Sequence, residues 1–174
     1  HWGTKAFPFY VIHFYKEISK KELQPIIGTL KKLKLDIPVI IVTINKTESK
    51  DLIGFDLSYP ELMPYSGTMV KVGNTEYLLF NNTRYDETST PAKKEFHFPI
   101  KISFTSSVEG LLDDSQLIEQ LIDQVYQFSR MYWKSVSQQN LPVTIKYPEM
   151  VAEIYPYFKH DKLPDFGKEN LWFL

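Results

Sequence analysis

The sequence predicts an α/β domain in which buried strands are joined through amphipathic helices. Three observations predict it. FYVIHFY (9–15) is a run of apolar, β-branched and aromatic residues interrupted only by His13, which reads as a strand buried on both faces, as in parallel sheets. IPVIIVTI (37–44) is a second strand of the same kind. Between them, SKKE (19–22) matches a capping box, with Ser19 as N-cap and Glu22 three residues on. Strand, helix and strand within about 35 residues make a βαβ unit, whose crossover is right-handed.

The helix after Ser19 runs through Leu23, Ile26, Ile27, Leu30 and Leu33, with Pro25 in its second turn expected to loosen or kink it. Residues 45–52 (NKTESKDL) are a polar loop, and IGFDLSYPELMPYSG (53–67) is irregular, with two prolines. GTMVKVGNTEYLLFNN (67–82) alternates apolar and polar residues around Gly73-Asn74, which predicts a hairpin. TRYDETSTPAKKE (83–95) is a polar loop without apolar anchors, expected to move unless it is bound. FPIKISFTS (98–106) alternates as a strand.

The longest helix is expected over about 114–134. Its apolar face is Leu117, Leu121, Val125, Phe128 and Tyr132, joined by Ile118, Ile122 and Met131. Asp113, Asp114 and Glu119 near its start, and Arg130 and Lys134 at its end, match the helix dipole. A short extended piece from Asn140 then leads to a last helix from about Pro148, proline being well placed in a first turn. No repeat, low-complexity region or second domain is evident.

At 174 residues, 43% of them apolar and 24% charged, the chain has the size and composition of one soluble globular domain with a real core. A net charge of −1 gives no global sign of nucleic-acid binding and does not exclude it, because a basic face can be balanced by an acidic one. Without cysteine, disulfides and thiolate metal sites are excluded. His1, His13, His97 and His160 show no ligand spacing. No stretch reaches the ~18 consecutive apolar residues of a membrane span, and no signal peptide is seen, so a cytoplasmic protein is expected. The sequons at Asn45 and Asn81 read as chance. The chain opens on HWGTKAFPFYVI without an initiator Met, as a segment of something longer would.

The chemistry-bearing residues are sparse. Glu17, Asp56, Asp86 and Asp165 lie far apart, and general acid–base or two-metal chemistry needs carboxylates that converge; solvated surface acids are the alternative. No P-loop, dinucleotide fingerprint, nucleophile elbow or zinc motif occurs. Arg130, Lys134 and Lys146 interleave with Tyr132, Trp133 and Tyr147, a pattern that suits a phosphate backbone with stacked bases. The same residues also fit bases capping a helix end above core aromatics. Lys93 and Lys94 stand in the polar loop, in reach of phosphate or merely solvated. The terminal NLWFL needs docking, and its carboxylate either binds a cation or sits at the surface.

Taken in order, the hairpin YLLFNN, loop TSTPAKK, strand FPIKISF, long helix ending YWKSV, segment LPVTIKYPEMVAEI and apolar last residue resemble the carboxyl-terminal half of a PIWI domain. That domain is the ribonuclease-H-like lobe of Argonaute proteins. The front, YVIHFYKEISKKELQPIIGTLKKL…PVIIVTINK, resembles the strand–helix–strand in the middle of the same domain. The resemblance covers nearly the whole chain, residues 1–174, and implies the latter part of a ribonuclease-H-like sheet flanked by helices.

In slicing members of this family the matching strand ends in a basic residue followed by Asp and Gly, and that Asp is a metal ligand. Here Lys16 matches the basic position, while Glu17 stands at the Asp position and Ile18 follows in place of Gly. A longer acid displaces a ligand by about one methylene, which two-metal catalysis tolerates poorly. His97 is the candidate for the last ligand, and the first ligand's strand is not in this chain. The resemblance therefore implies a short prokaryotic Argonaute of defence systems, an inactive nuclease. It would bind a guide RNA or DNA and its complementary target, together with a MID domain, the remainder of PIWI and an effector subunit. It also implies a divalent cation, Mg²⁺ or Mn²⁺, at the guide's 5′ phosphate. Leu174 would offer its carboxylate to that metal, Lys134 would reach the phosphate, and Arg130, Lys146, Tyr147 and Lys94 would contact nucleic acid. Three rivals remain: an active nuclease using Glu17 and acids on other sequence, an interaction module holding an effector subunit, and an unrelated α/β domain.

Overall fold

The computed structural model describes residues 9–35, 37–46, 52–88, 98–132 and 141–158. Strands β1 (Tyr10–Phe14), β2 (Val39–Asn45), β3 (Met69–Lys71), β4 (Glu76–Leu79) and β5 (Ile100–Ser106) form one sheet in the order β1-β2-β5-β4-β3. Helices α1 (Lys20–Lys32), α2 (Ser115–Arg130) and α3 (Val143–Ile154) complete it, with a short 3₁₀ turn before α2 and another after α3. β1 and β2 pair in parallel, Tyr10 opposite Val39 and Phe14 opposite Thr43, so the βαβ unit is present. The other pairings are antiparallel.

α1 starts where its capping box places it. The Ser19 amide donates to Glu22 Oε2 at 2.9 Å, and the Glu22 amide donates back to Ser19 Oγ at 3.3 Å. Pro25 does not break the helix, which runs on to Lys32. The amide it lacks would have reached the Lys21 carbonyl, so the cost is one bond within a capped helix. The hairpin of β3 and β4 turns at 72–75, where the Val72 and Gly73 amides both donate to the Glu76 carbonyl. Gly67, with φ of +89°, takes the left-handed turn that leads into β3.

The core lies between the sheet and α2. Ile40, Val42 and Ile44 of β2, with Ile100, Ile102 and Phe104 of β5, pack on Ile118, Leu121, Ile122 and Val125. α2 begins at Asp114, whose Oδ1 accepts from the Gln116 and Leu117 amides.

Four expectations are corrected. β1 is not buried on both faces: it is an edge strand among the described residues, Tyr10 is 44% exposed, and its other residues are half-buried. α2 stops at Arg130 rather than near 134, and Met131 leaves the helix exposed. Of its expected face Ile118, Leu121, Ile122 and Val125 are buried, but Leu117 and Phe128 are only half-buried, and Ser129 is buried in their place. α3 starts at Val143, not Pro148. Pro142, extended at ψ 146°, lends its carbonyl to the Ile145 and Lys146 amides, and burial of Val143 and Ile145 draws the first turn into the core.

Candidate nucleic-acid interface

At the carboxyl end of β1 the two charged residues part company. Lys16 turns to α1, with its ammonium 2.9 Å from Glu22 Oε1. The Ser19 amide, Lys16 and the Ser19 hydroxyl together hold the Glu22 carboxyl down at about 2, and Glu22 in turn raises Lys16. Lys16 therefore closes the helix cap. Glu17 lines a polar cleft of about 410 Å³ with Thr43, Asn74, Thr75, Glu76, Ser103 and Thr105. These side chains meet because β2, β4 and β5 place Thr43, Ser103 and Glu76 in register on the sheet face away from α2. Glu76 is committed to Lys101 at 2.9 Å. Among the described residues no three His, Asp or Glu side chains are grouped as a metal site would require.

The second centre is the segment after β4. The sequence gives residues 83–95 no anchor, yet Arg84 is 3% exposed. Its guanidinium lies between the rings of Tyr59 and Tyr65, 3.7 and 3.8 Å from their centroids. Nη1 donates to Asp56 Oδ2 at 2.6 Å and to the Met63 carbonyl at 2.5 Å. Ser58, through its hydroxyl and its amide, and Arg84 hold the Asp56 carboxyl at about 2. Asn82, also buried, donates to the Pro64 carbonyl and accepts from the Arg84 amide. The irregular stretch 54–66 and the chain after β4 are thus fastened to each other around one buried cation. Burial of Asn81 gives a physical reason against its sequon being used. The signal for this centre was faint: Tyr59, Tyr65 and Arg84 in segments with no periodicity.

Arg130 is drawn into the same region. Its Nη2 donates to Ser66 Oγ and to the Asn82 carbonyl, and its guanidinium faces the rings of Tyr85 and Tyr126 at 5.2 and 5.0 Å. Tyr126 Oη lies 3.1 Å from Ser66 Oγ. Lys146 and Tyr147 stand on α3. Lys146 pairs with Glu149 at 2.8 Å, which raises the Lys146 amine, and the Tyr147 ring meets that of Tyr132 edge-on at 6.3 Å. The structure therefore brings Tyr132 to Tyr147, and turns Arg130 toward Ser66 and Asn82. Lys134, Lys93, Lys94, His97 and Leu174 lie outside the described residues. His13, on the inner side of β1, is 2.6 Å from Thr144 Oγ1 and edge-on to Phe128; burial lowers its pKa.

No protein-family model matches the chain. A Piwi protein of the archaeon Archaeoglobus fulgidus is 29% identical to it over 147 residues, covering 80% of this chain. The likeness supports a PIWI-like domain. The mixed five-stranded sheet with its flanking helices is consistent with the ribonuclease-H-like α/β fold that the sequence resemblance implied. The matched region spans 33% of the archaeal protein's length. Within the PIWI-like domain the Glu17 cleft opens at the carboxyl end of a parallel strand pair, where α/β sheets place their ligands. Among the described residues no helix is long and apolar enough to cross a membrane.

Proposed function

We propose that this PIWI-like chain serves a prokaryotic Argonaute as the carboxyl-terminal part of its PIWI domain, binding guide and target nucleic acid without cutting. The likeness to an archaeal Piwi protein, over most of the chain, carries the binding half of this reading. Phosphate contacts would be salt-dependent and sequence-independent, with specificity left to guide–target pairing. The make-up of the Glu17 cleft supports the absence of cleavage. Hydroxyl and amide side chains dominate it, and its second carboxylate is tied to Lys101. On this reading Lys134 and the Leu174 carboxylate anchor the guide's 5′ phosphate through Mg²⁺ or Mn²⁺, and Lys94, Lys146 and Tyr147 lie along the strand. An effector subunit would then deliver the response.

The test uses the full-length parent protein, a 5′-phosphorylated guide and a labelled complementary target, with and without Mg²⁺ or Mn²⁺. Expected are guide binding that weakens on removal of Leu171 to Leu174 or in Lys134→Ala, and no target product. Metal-dependent product that disappears in Glu17→Ala would instead establish the active nuclease.

A further inference from the structure

We propose that Tyr85 is a base-stacking residue, its ring held on the Arg130 guanidinium and offered outward to one base of a bound single strand. The inference rests on the nucleic-acid reading above and adds to it a residue and a kind of contact. Tyr85 is 57% exposed, yet it sits beside the most tightly fastened part of the chain. The preceding residue, Arg84, is locked between Tyr59 and Tyr65, and its carbonyl accepts from the Ser66 amide at 2.7 Å. A large ring on a pinned backbone binds at low entropic cost, because little remains to be ordered.

The charge behind the ring is unusual. Arg84 has Asp56 as counter-ion, but among the described residues no ion pair involves Arg130. Arg130 Nε is buried and finds no acceptor, and Nη2 is satisfied only by a hydroxyl and a carbonyl. A half-buried cation without a carboxylate leaves positive potential at the surface, which a phosphodiester would neutralise. The cation also draws the π-density of Tyr85 toward itself. The outer face then repels the electron-rich face of a base less than a free phenol would. A stacking ring over an uncompensated arginine is the combination by which single strands are held without base readout.

The experiment measures affinity of the full-length protein for 5′-phosphorylated RNA and DNA strands, intact or carrying one abasic residue at successive positions. On the intact strand Tyr85→Leu is expected to weaken binding roughly ten- to hundredfold, the usual worth of one stacked base. Tyr85→Phe and Tyr85→Trp should bind as the wild type does. The salt dependence in Tyr85→Leu should keep its slope, since no phosphate contact is lost. One abasic position should weaken the wild type and abolish its advantage over Tyr85→Leu, a coupling that a purely structural tyrosine would not show. The proposal is overturned if wild type binds the strand while Tyr85→Leu binds equally well, or if no abasic position closes the gap. If the wild type binds no strand, the nucleic-acid reading falls and this one with it.

Discussion

Removal of either member of the Arg84–Asp56 pair should have unequal consequences. In Arg84→Met the chain loses two charge-assisted hydrogen bonds and two ring contacts. Those are worth about 1.5–3 kcal/mol per bond and about 0.5–2 kcal/mol per ring. Against this stands the several kcal/mol of desolvation that a buried guanidinium costs and a thioether does not. Asp56, whose side chain is 24% exposed, recovers its partner from water. The balance leaves a loss of about 1–3 kcal/mol, a fall in the urea midpoint of about 0.5–1.5 M at a slope near 2 kcal/mol per M. Asp56→Asn should cost more. It keeps an oxygen for Ser58 but turns an amide toward Nη1 and leaves the buried charge without a counter-ion. The acid limb carries a second signature. The Asp56 carboxyl is held below its ordinary value, so its contribution is complete above about pH 3.8 and is lost as pH falls through about 2; Asp56→Asn should lack that limb. Urea unfolding of the three proteins, followed by tyrosine fluorescence and far-ultraviolet dichroism, measures all of this. An Arg84→Met loss as large as that of Asp56→Asn would refute the view that the stranded charge is the dominant cost.

The capping box of α1 should be separable from the core: Ser19→Ala is expected to cost about 1 kcal/mol, and Glu22→Gln should remove the loss of helix signal that the wild type shows as pH falls from about 4.5 to about 2. His13 works in the same direction at a higher pH. Burial favours its neutral form, so the unfolded chain takes up the proton first, and stability should begin to fall as pH drops below about 6.5; an imidazole titration by NMR that shows no downward shift, or a His13→Phe protein with the same pH dependence, would contradict this.

Much of the fold was legible because it rests on local signals. The two apolar runs, the capping box at Ser19 and the turn at Gly73 each state their element in a few residues, and the parallel pairing follows from the helix between the runs. What was not legible depends on neighbours. The runs of β1 and β2 look equally buried, yet among the described residues only β2 of the two has strands on both sides. The start of α3 is not legible because Pro148 suits a first turn locally, whereas burial of Val143 and Ile145, five and three residues earlier, sets it. The site divides in the same way. Glu17 and Arg130 stood out as charges beside apolar or aromatic runs. Arg84 and Tyr85 did not, and Asp56 showed only as one of four scattered acids, because an arginine in a polar loop has no pattern until the chain folds two tyrosines around it.

The lysine and the acid at the end of β1 serve different elements. Lys16 belongs to the cap of α1, which sets the direction in which the chain leaves the sheet. Glu17 belongs to the cleft over Thr43 and Ser103. That cleft shares no lining residue with the Tyr85–Arg130 centre, which draws on Ser66, Asn82 and Tyr126 instead. Substitutions at the two places should therefore act independently, as sites without shared partners do. If the chain binds without cutting, a Glu17 variant should leave both the target and the strand affinity unchanged, whereas a Tyr85 variant should weaken strand binding. A strong interaction between Glu17→Ala and Tyr85→Leu in strand affinity would mean that one nucleic-acid path runs through both, and that the cleft takes part in binding.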